Sequence, residues 1–171
     1  MDKSKASYIY DENAKLIEIK GEGNLMDRTF EHDKDGNISK QITLFNGQPY
    51  LTREYIYDNG TPSKVISYNA KGTATEELGI KYTDKPNPFL GKGVFANIVE
   101  MFLGYPVANH KHLIASFTKT YKTATSYKVN GQKKKAGDKD VTEFKYDYNE
   151  NGYATSMVIN GDTTKMSYNC D

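Results

Sequence analysis

The sequence predicts a mainly β protein, an antiparallel meander of hairpins curling into a barrel or a strongly bent sheet. Three observations carry that expectation. An aromatic-x-aromatic phrase followed by Asp or Asn and a tight turn recurs along the chain. Turn signals arrive at short, regular intervals through most of its length, the spacing of a meander or barrel. Helix-period stretches are nearly absent.

The phrase opens at Tyr8-Ile9-Tyr10-Asp11-Glu12-Asn13-Ala14 and returns at Phe30-Glu31-His32-Asp33-Lys34-Asp35-Gly36. It recurs as Tyr55-Ile56-Tyr57-Asp58-Asn59-Gly60 and as Tyr146-Asp147-Tyr148-Asn149-Glu150-Asn151-Gly152. Such recurrence marks a repeated supersecondary unit. In a strand, residues i and i+2 share a face, so each copy places two rings on one side. The Asp or Asn starts the turn by bonding to backbone N–H groups ahead of it, and the Gly supplies the positive φ that closes it. Asp33 to Gly36 fits a type I turn ending in a bulge; Asp58-Asn59-Gly60 is shorter and fits a tight Asn-Gly hairpin. Ala14 holds the Gly slot of the first copy, where a positive φ costs it energy.

A second strand follows each turn: Lys15 to Lys20, Asn37 to Phe45, Ser63 to Tyr68 and Tyr153 to Asn160. Asn46-Gly47, Ala70-Lys71-Gly72, Asn130-Gly131 and Asn160-Gly161 are further hairpin signals, and Tyr121 and Tyr127 read as additional sheet aromatics. The organisation is a single β-rich domain over 1–171, with hairpin blocks at 6–84 and 115–170 around an insert at 85–114. Pro86-Asn87-Pro88 ends the strand before that insert. Val94, Phe95, Ile98, Met101 and Phe102 then recur at helical spacing up to Gly104-Tyr105-Pro106, which predicts one short helix near 93–103 packed on the sheet.

Composition excludes several functions. Lys plus Arg number 23 against 22 Asp plus Glu, a net charge of +1, so no global field draws the chain to nucleic acid or anionic lipid. Lys133, Lys134 and Lys135 cluster among Gly and Asp residues and read as a solvated loop. The lone Cys170 closes no internal disulfide and builds no thiolate metal site. Met1-Asp2-Lys3-Ser4-Lys5 carries no apolar signal-peptide core, and the greasy run Val94 to Leu103 falls well short of the ~20 residues of a membrane-spanning helix.

Motifs for chemistry fail on inspection. A calcium loop needs Gly at its sixth position and Glu at its twelfth; counting from Asp33 finds Ile38 and Leu44, and counting from Glu31 ends on Ile42. Gly91-Lys92-Gly93-Val94-Phe95-Ala96 follows prolines rather than a buried parallel strand, so it does not read as a dinucleotide loop. His110 and His112 would share a face if extended, yet no third ligand stands beside them, and His32 replaces a repeat aromatic. No Gly-x-Ser-x-Gly elbow and no Cys–His nucleophile are visible. The reading is therefore no catalytic residues, no cofactor and no metal.

The phrase Tyr-x-Tyr-Asp-x-x-Gly-x-Leu, carried best by Tyr8 to Asp11 and Tyr55 to Asp58, resembles the YD repeats of Rhs-type surface and toxin-encapsulating proteins. The YD-like hairpins, the stretch Ile80-Lys81-Tyr82-Thr83-Asp84-Lys85-Pro86-Asn87-Pro88-Phe89 and the closing Tyr146-to-Gly152 hairpin are similar to a family of uncharacterised lipoproteins from Bacteroides-type bacteria with a porin-like β fold. That resemblance implies export, an envelope or secreted location and no known catalytic residues. The expected function is a non-catalytic binding or structural module of a bacterial cell envelope, with a glycan or another envelope protein as partner. Tyr8, Tyr10, Tyr55, Tyr57, Tyr146 and Tyr148 are the candidate ligand-binding residues, because water-facing sheet tyrosines form a flat aromatic platform. The alternative is a hydrolase or a lipid or small-molecule carrier with its site inside the curled sheet.

Overall fold

Each hairpin is closed by its own local chemistry, and neighbouring hairpins then share a core face. The structure, a computed structural model, describes residues 5–22, 26–87 and 111–165. The helix expected near 93–103, together with His110, the glycine motif at 91–93 and Cys170, lies outside the described residues.

The strands are β1 (Ala6–Tyr10), β2 (Leu16–Gly21), β3 (Asp27–His32), β4 (Ile38–Phe45), β5 (Gln48–Asp58), β6 (Thr61–Asn69), β7 (Ala74–Pro86), β8 (His112–Tyr121), β9 (Lys128–Val129), β10 (Gln132–Lys133), β11 (Lys139–Tyr148), β12 (Ala154–Ile159) and β13 (Asp162–Lys165). Eleven of them form one large antiparallel sheet in the order β1-β2-β3-β4-β5-β6-β7-β8-β11-β12-β13, while β9 and β10 pair with each other. The order is linear. The described strands pair in one open order with no closed barrel among them, so of the expected fold the large antiparallel sheet is what is seen. β7 runs on to Pro86 and β8 begins at His112.

Two turn types punctuate the sheet. At Asp11, Asp33, Asn69 and Asn149 one side-chain oxygen accepts the N–H groups two and four residues ahead, at 2.8–3.1 Å. The residue three positions on closes the turn with positive φ: Ala14 at 59°, Gly36 at 85°, Gly72 at 74° and Gly152 at 79°. The second type is the two-residue Asn-Gly turn, with both residues at positive φ, at Asn46-Gly47, Asn59-Gly60, Asn130-Gly131 and Asn160-Gly161. Asn69 therefore opens a full copy of the longer turn, ahead of the hairpin signal at Ala70-Lys71-Gly72.

Every copy of the phrase also carries a bulge in its second strand. Pairing skips one residue between Ile9 and Tyr10, between Glu31 and His32, between Ile56 and Tyr57, and between Asp147 and Tyr148. The unpaired residues are Ile17, Ser39, Ser63 and Thr155. The three hydroxyls donate to the carbonyls of Glu31, Ile56 and Asp147 at 3.2–3.3 Å, so a side chain bonds where the ladder is interrupted.

Contacts group the chain into two compact units, one of residues 1–78 and 119–139, the other of 79–118 and 140–171. The first buries Ile19, Phe30, Tyr55, Val65, Leu78 and Tyr121, with Gln41, Thr43 and Ser67 among them. The second buries Ile80, Leu113, Ile114, Phe117, Ala154 and Met157, and the rings of Phe117 and Phe144 meet edge to face at 5.1 Å. In β11, residues alternate between exposed and half-buried, the signature of a sheet with one wet face.

Candidate functional site

The six repeat tyrosines do not form one platform. Tyr55 is 6 % exposed, and its hydroxyl donates to the Gln41 side-chain carbonyl at 2.8 Å. Tyr57 is half-buried and donates to the backbone carbonyl of Ile38 at 2.8 Å; burial, with the Asp33 carboxylate adding to it, pushes its phenol up to about 12. Tyr146 donates to the carbonyl of Ile114, and burial raises its pKa further. Tyr148 is half-buried with its ring 6.2 Å from that of Tyr146, and burial raises its pKa as well. Tyr55, Tyr57 and Tyr146 thus bond to a neighbouring strand, and Tyr148 packs beside Tyr146 on its own strand. Only Tyr8 and Tyr10, at 58 % and 56 %, face water, and both lie on the end strand β1.

A different set of aromatics lies beside a concavity. In the first unit a groove of about 460 Å³ opens between Tyr50 and Tyr127. Tyr50 is the residue skipped where β4 and β5 go out of register between Thr43 and Leu44, so a bulge carries its ring onto the surface. Tyr127 lies just before β9 rather than on a strand, a correction to its reading as a sheet aromatic. The two rings are 56 % and 59 % exposed, and Phe45 stands 6.4 Å from Tyr50, centroid to centroid.

The wall between the rings comes from three adjacent strands. Arg53 on β5 sits opposite Ser67 on β6, and Leu51 sits opposite Asn69, in the register of that pair. Arg53, Asn69 and Glu76 bring donors and acceptors to the groove, and Leu51 brings an apolar strip. Because Asn69 Oδ1 accepts the N–H groups of Lys71 and Thr73, its amide nitrogen is the atom it offers a ligand. The Glu76 carboxylate lies 3.5 Å from the Lys119 ammonium, a half-buried ion pair beside the groove. On the opposite side of β7, Glu77 takes Lys122 at 2.7 Å and Lys64 at 3.3 Å, and the hydrogen bond from Lys122 does most to hold its carboxyl below the usual range.

Tyr121, at the end of β8, is buried, with the ammonium groups of Lys119 and Lys134 at 5.9 and 5.8 Å from its ring centre. Its N–H donates to the carbonyl of Asp138 and its carbonyl accepts from Gly137, which ties the segment carrying Tyr127 back to β8. A second depression in the other unit, of about 380 Å³ between Val141, Lys145 and Val158, has no flanking aromatic ring among its lining residues. Among the described residues no three His, Cys, Asp or Glu side chains gather where they could hold a metal ion, and no helix is long and apolar enough to cross a membrane.

No protein-family model matches the chain, and no curated relative does. Among solved structures, the chain is similar to a porin-like protein from Bacteroides uniformis ATCC 8492. The likeness covers 94 % of this chain and 85 % of that one at 13 % identity, with a TM-score of 0.27. At that score the likeness carries nothing about a site.

The sequence pattern missed the groove because its residues carry no shared motif. Tyr50 follows Gln48-Pro49 and Tyr127 follows Ser126, outside any copy of the phrase. The one available signal was that neither tyrosine fits the aromatic-x-aromatic alternation.

Proposed function

We propose that the protein is a non-catalytic binding module of a bacterial cell envelope and that it takes a glycan in the groove between Tyr50 and Tyr127. The observation that carries the reading is the pairing of two solvent-facing phenol rings with a polar wall of Arg53, Asn69 and Glu76. A sugar ring has C–H faces that stack on aromatic rings and hydroxyls that need planar donors and acceptors beside them. An apolar body next to fixed polar groups is what small-ligand sites present in general. The envelope location rests on the resemblance of the hairpins to exported lipoproteins, and the absence of a nucleophile–base motif in the sequence supports a binding rather than a catalytic role.

A glycan array probed with the intact chain, followed by titration of any hit against Tyr50→Ala and Tyr127→Ala, tests the reading. Binding that both substitutions weaken supports it. Silence across the array, or binding indifferent to both changes, overturns it.

A further inference from the structure

The four copies of the phrase allow one strand to be judged by the other three. In each copy the first aromatic stands opposite a buried residue of the strand that follows it: Tyr8 opposite Ile19, Phe30 opposite Gln41, Tyr55 opposite Val65 and Tyr146 opposite Met157. On the other side, Phe30 has β2, Tyr55 has β4 and Tyr146 has β8. Phe30 and Tyr55 are 7 % and 6 % exposed, whereas Tyr8 is 58 % exposed. Among the described residues β1 has no strand on that side.

The tyrosine hydroxyls show what belongs there. Tyr55 and Tyr57 on β5 reach back to Gln41 and Ile38 on β4. Tyr68 on β6 reaches back to Glu54 on β5, and Tyr146 on β11 to Ile114 on β8. Each donates to the strand that precedes it in the sheet order. Tyr8 and Tyr10 occupy the same positions with that acceptor strand missing among the described residues.

The backbone of β1 is turned to receive one. The Lys5 carbonyl accepts the Glu22 N–H at 2.8 Å, and the register of Ala6 with Gly21 makes Lys5 and Glu22 direct partners. Hydrogen-bonded and non-bonded pairs alternate in an antiparallel ladder, so Ser7 and Ile9 bond to β2 while Ala6 and Tyr8 turn their backbone groups outward. The strand Ala-Ser-Tyr-Ile-Tyr contains no proline and no charge, the usual devices that block an edge.

We propose that β1 is a strand-acceptor edge and that its occupant is β13 of a second copy of this chain, added antiparallel so that copies join head to tail. Internally, β2 precedes β3 and β4 precedes β5, so the strand before an aromatic strand is the second strand of the preceding hairpin. β13 is such a second strand. It follows the Asn160-Gly161 turn, all four of its residues are exposed, and among the described residues it ends the sheet on the other side. Ile159 and Asp162 flank that two-residue turn as its bonded pair, which turns the backbone of Thr163 outward. Strand addition of this kind takes its affinity from main-chain hydrogen bonds.

Sedimentation velocity of the intact chain across a wide concentration range tests the proposal. The sedimentation coefficient is expected to climb with concentration without settling at a closed oligomer, because the two edges differ. Tyr8→Pro and Thr163→Pro each remove an outward N–H without removing a hairpin bond. Each is expected to be monomeric alone, and the two mixed are expected to form a heterodimer through the intact β13 of the first and the intact β1 of the second. Should circular dichroism find either proline variant unfolded, Tyr8→Lys and Thr163→Lys replace them at the same exposed positions. A wild-type chain monomeric at every concentration overturns the proposal, as does self-association that Thr163→Pro leaves intact. Tyr50→Ala is expected to leave the association unchanged, which separates this edge from the groove.

Discussion

The hydroxyl of Tyr146 donates to the backbone carbonyl of Ile114 at 2.9 Å, joining β11 to β8 across 32 residues of sequence. Both belong to the second compact unit, and Ile114 is part of its core. Tyr146→Phe keeps the ring and deletes the donor. It is expected to cost about 1 kcal/mol, the net value of one such bond, and to lower the midpoint of thermal unfolding by a few degrees. An unchanged midpoint would show that water satisfies the Ile114 carbonyl equally well.

Tyr57 makes the corresponding bond in the first unit, and its phenol is pushed up to about 12, chiefly by burial. The sign is fixed by the neutral form being favoured in the fold. Its contribution is complete below pH 10, the ordinary tyrosine value, and is lost as the pH rises from there towards 12. Tyr57→Phe is therefore expected to flatten the alkaline fall in stability over that window, measured by urea unfolding at successive pH values.

Asp33 offers the acidic counterpart. Its carboxylate accepts the Asp35 and Asn37 N–H groups and the Asn37 side-chain amide, and the last of these does most to hold its pKa below the usual 3.8. A depressed carboxyl stabilises the fold above its unfolded value and loses that contribution as the pH falls through the folded one. Asn69 and Asn149 make the same turn without a titrating group. Asp33→Asn is thus expected to keep the hairpin and to blunt acid unfolding below about pH 4. Acid unfolding as steep as in the parent chain would mean that other carboxylates govern it.

Ala14 holds φ at 59° in a slot that the other three long turns fill with glycine. A left-handed conformation costs an L-residue roughly 1–2 kcal/mol, less the extra freedom glycine has when unfolded. Ala14→Gly is expected to stabilise the first hairpin by about 0.5–1 kcal/mol, and Gly36→Ala to destabilise the second. Thermal unfolding of both variants checks the pair.

If the groove takes sugar, Tyr50→Ala and Tyr127→Ala should each weaken binding at least about tenfold, as aromatic anchors at an interface centre do. Tyr8→Ala should leave that affinity unchanged, because its ring lies on β1, outside the lining of the groove. Isothermal titration with a glycan from the array distinguishes the two positions.

Turn chemistry was legible in the one-dimensional pattern because it is local. The Asp33 carboxylate caps N–H groups two and four residues away, and Asn59-Gly60 adopts its two positive φ angles with no help from distant residues. The β class, the strand pairs and the strained Ala14 all follow from contacts of that range. Which tyrosines face water does not. Tyr8 and Tyr55 occupy the same place in the same phrase, yet one is exposed and the other buried, because β4 lies beside Tyr55 and no described strand lies on the outer side of β1. The groove arose in the same way. Tyr50 and Tyr127 are far apart in sequence and share no motif; a bulge in β5 and the tether at Tyr121 set where each ring stands. Local hydrogen bonding wrote the hairpins, and only the assembly of strands decided which of their rings became core and which remained free to meet a ligand.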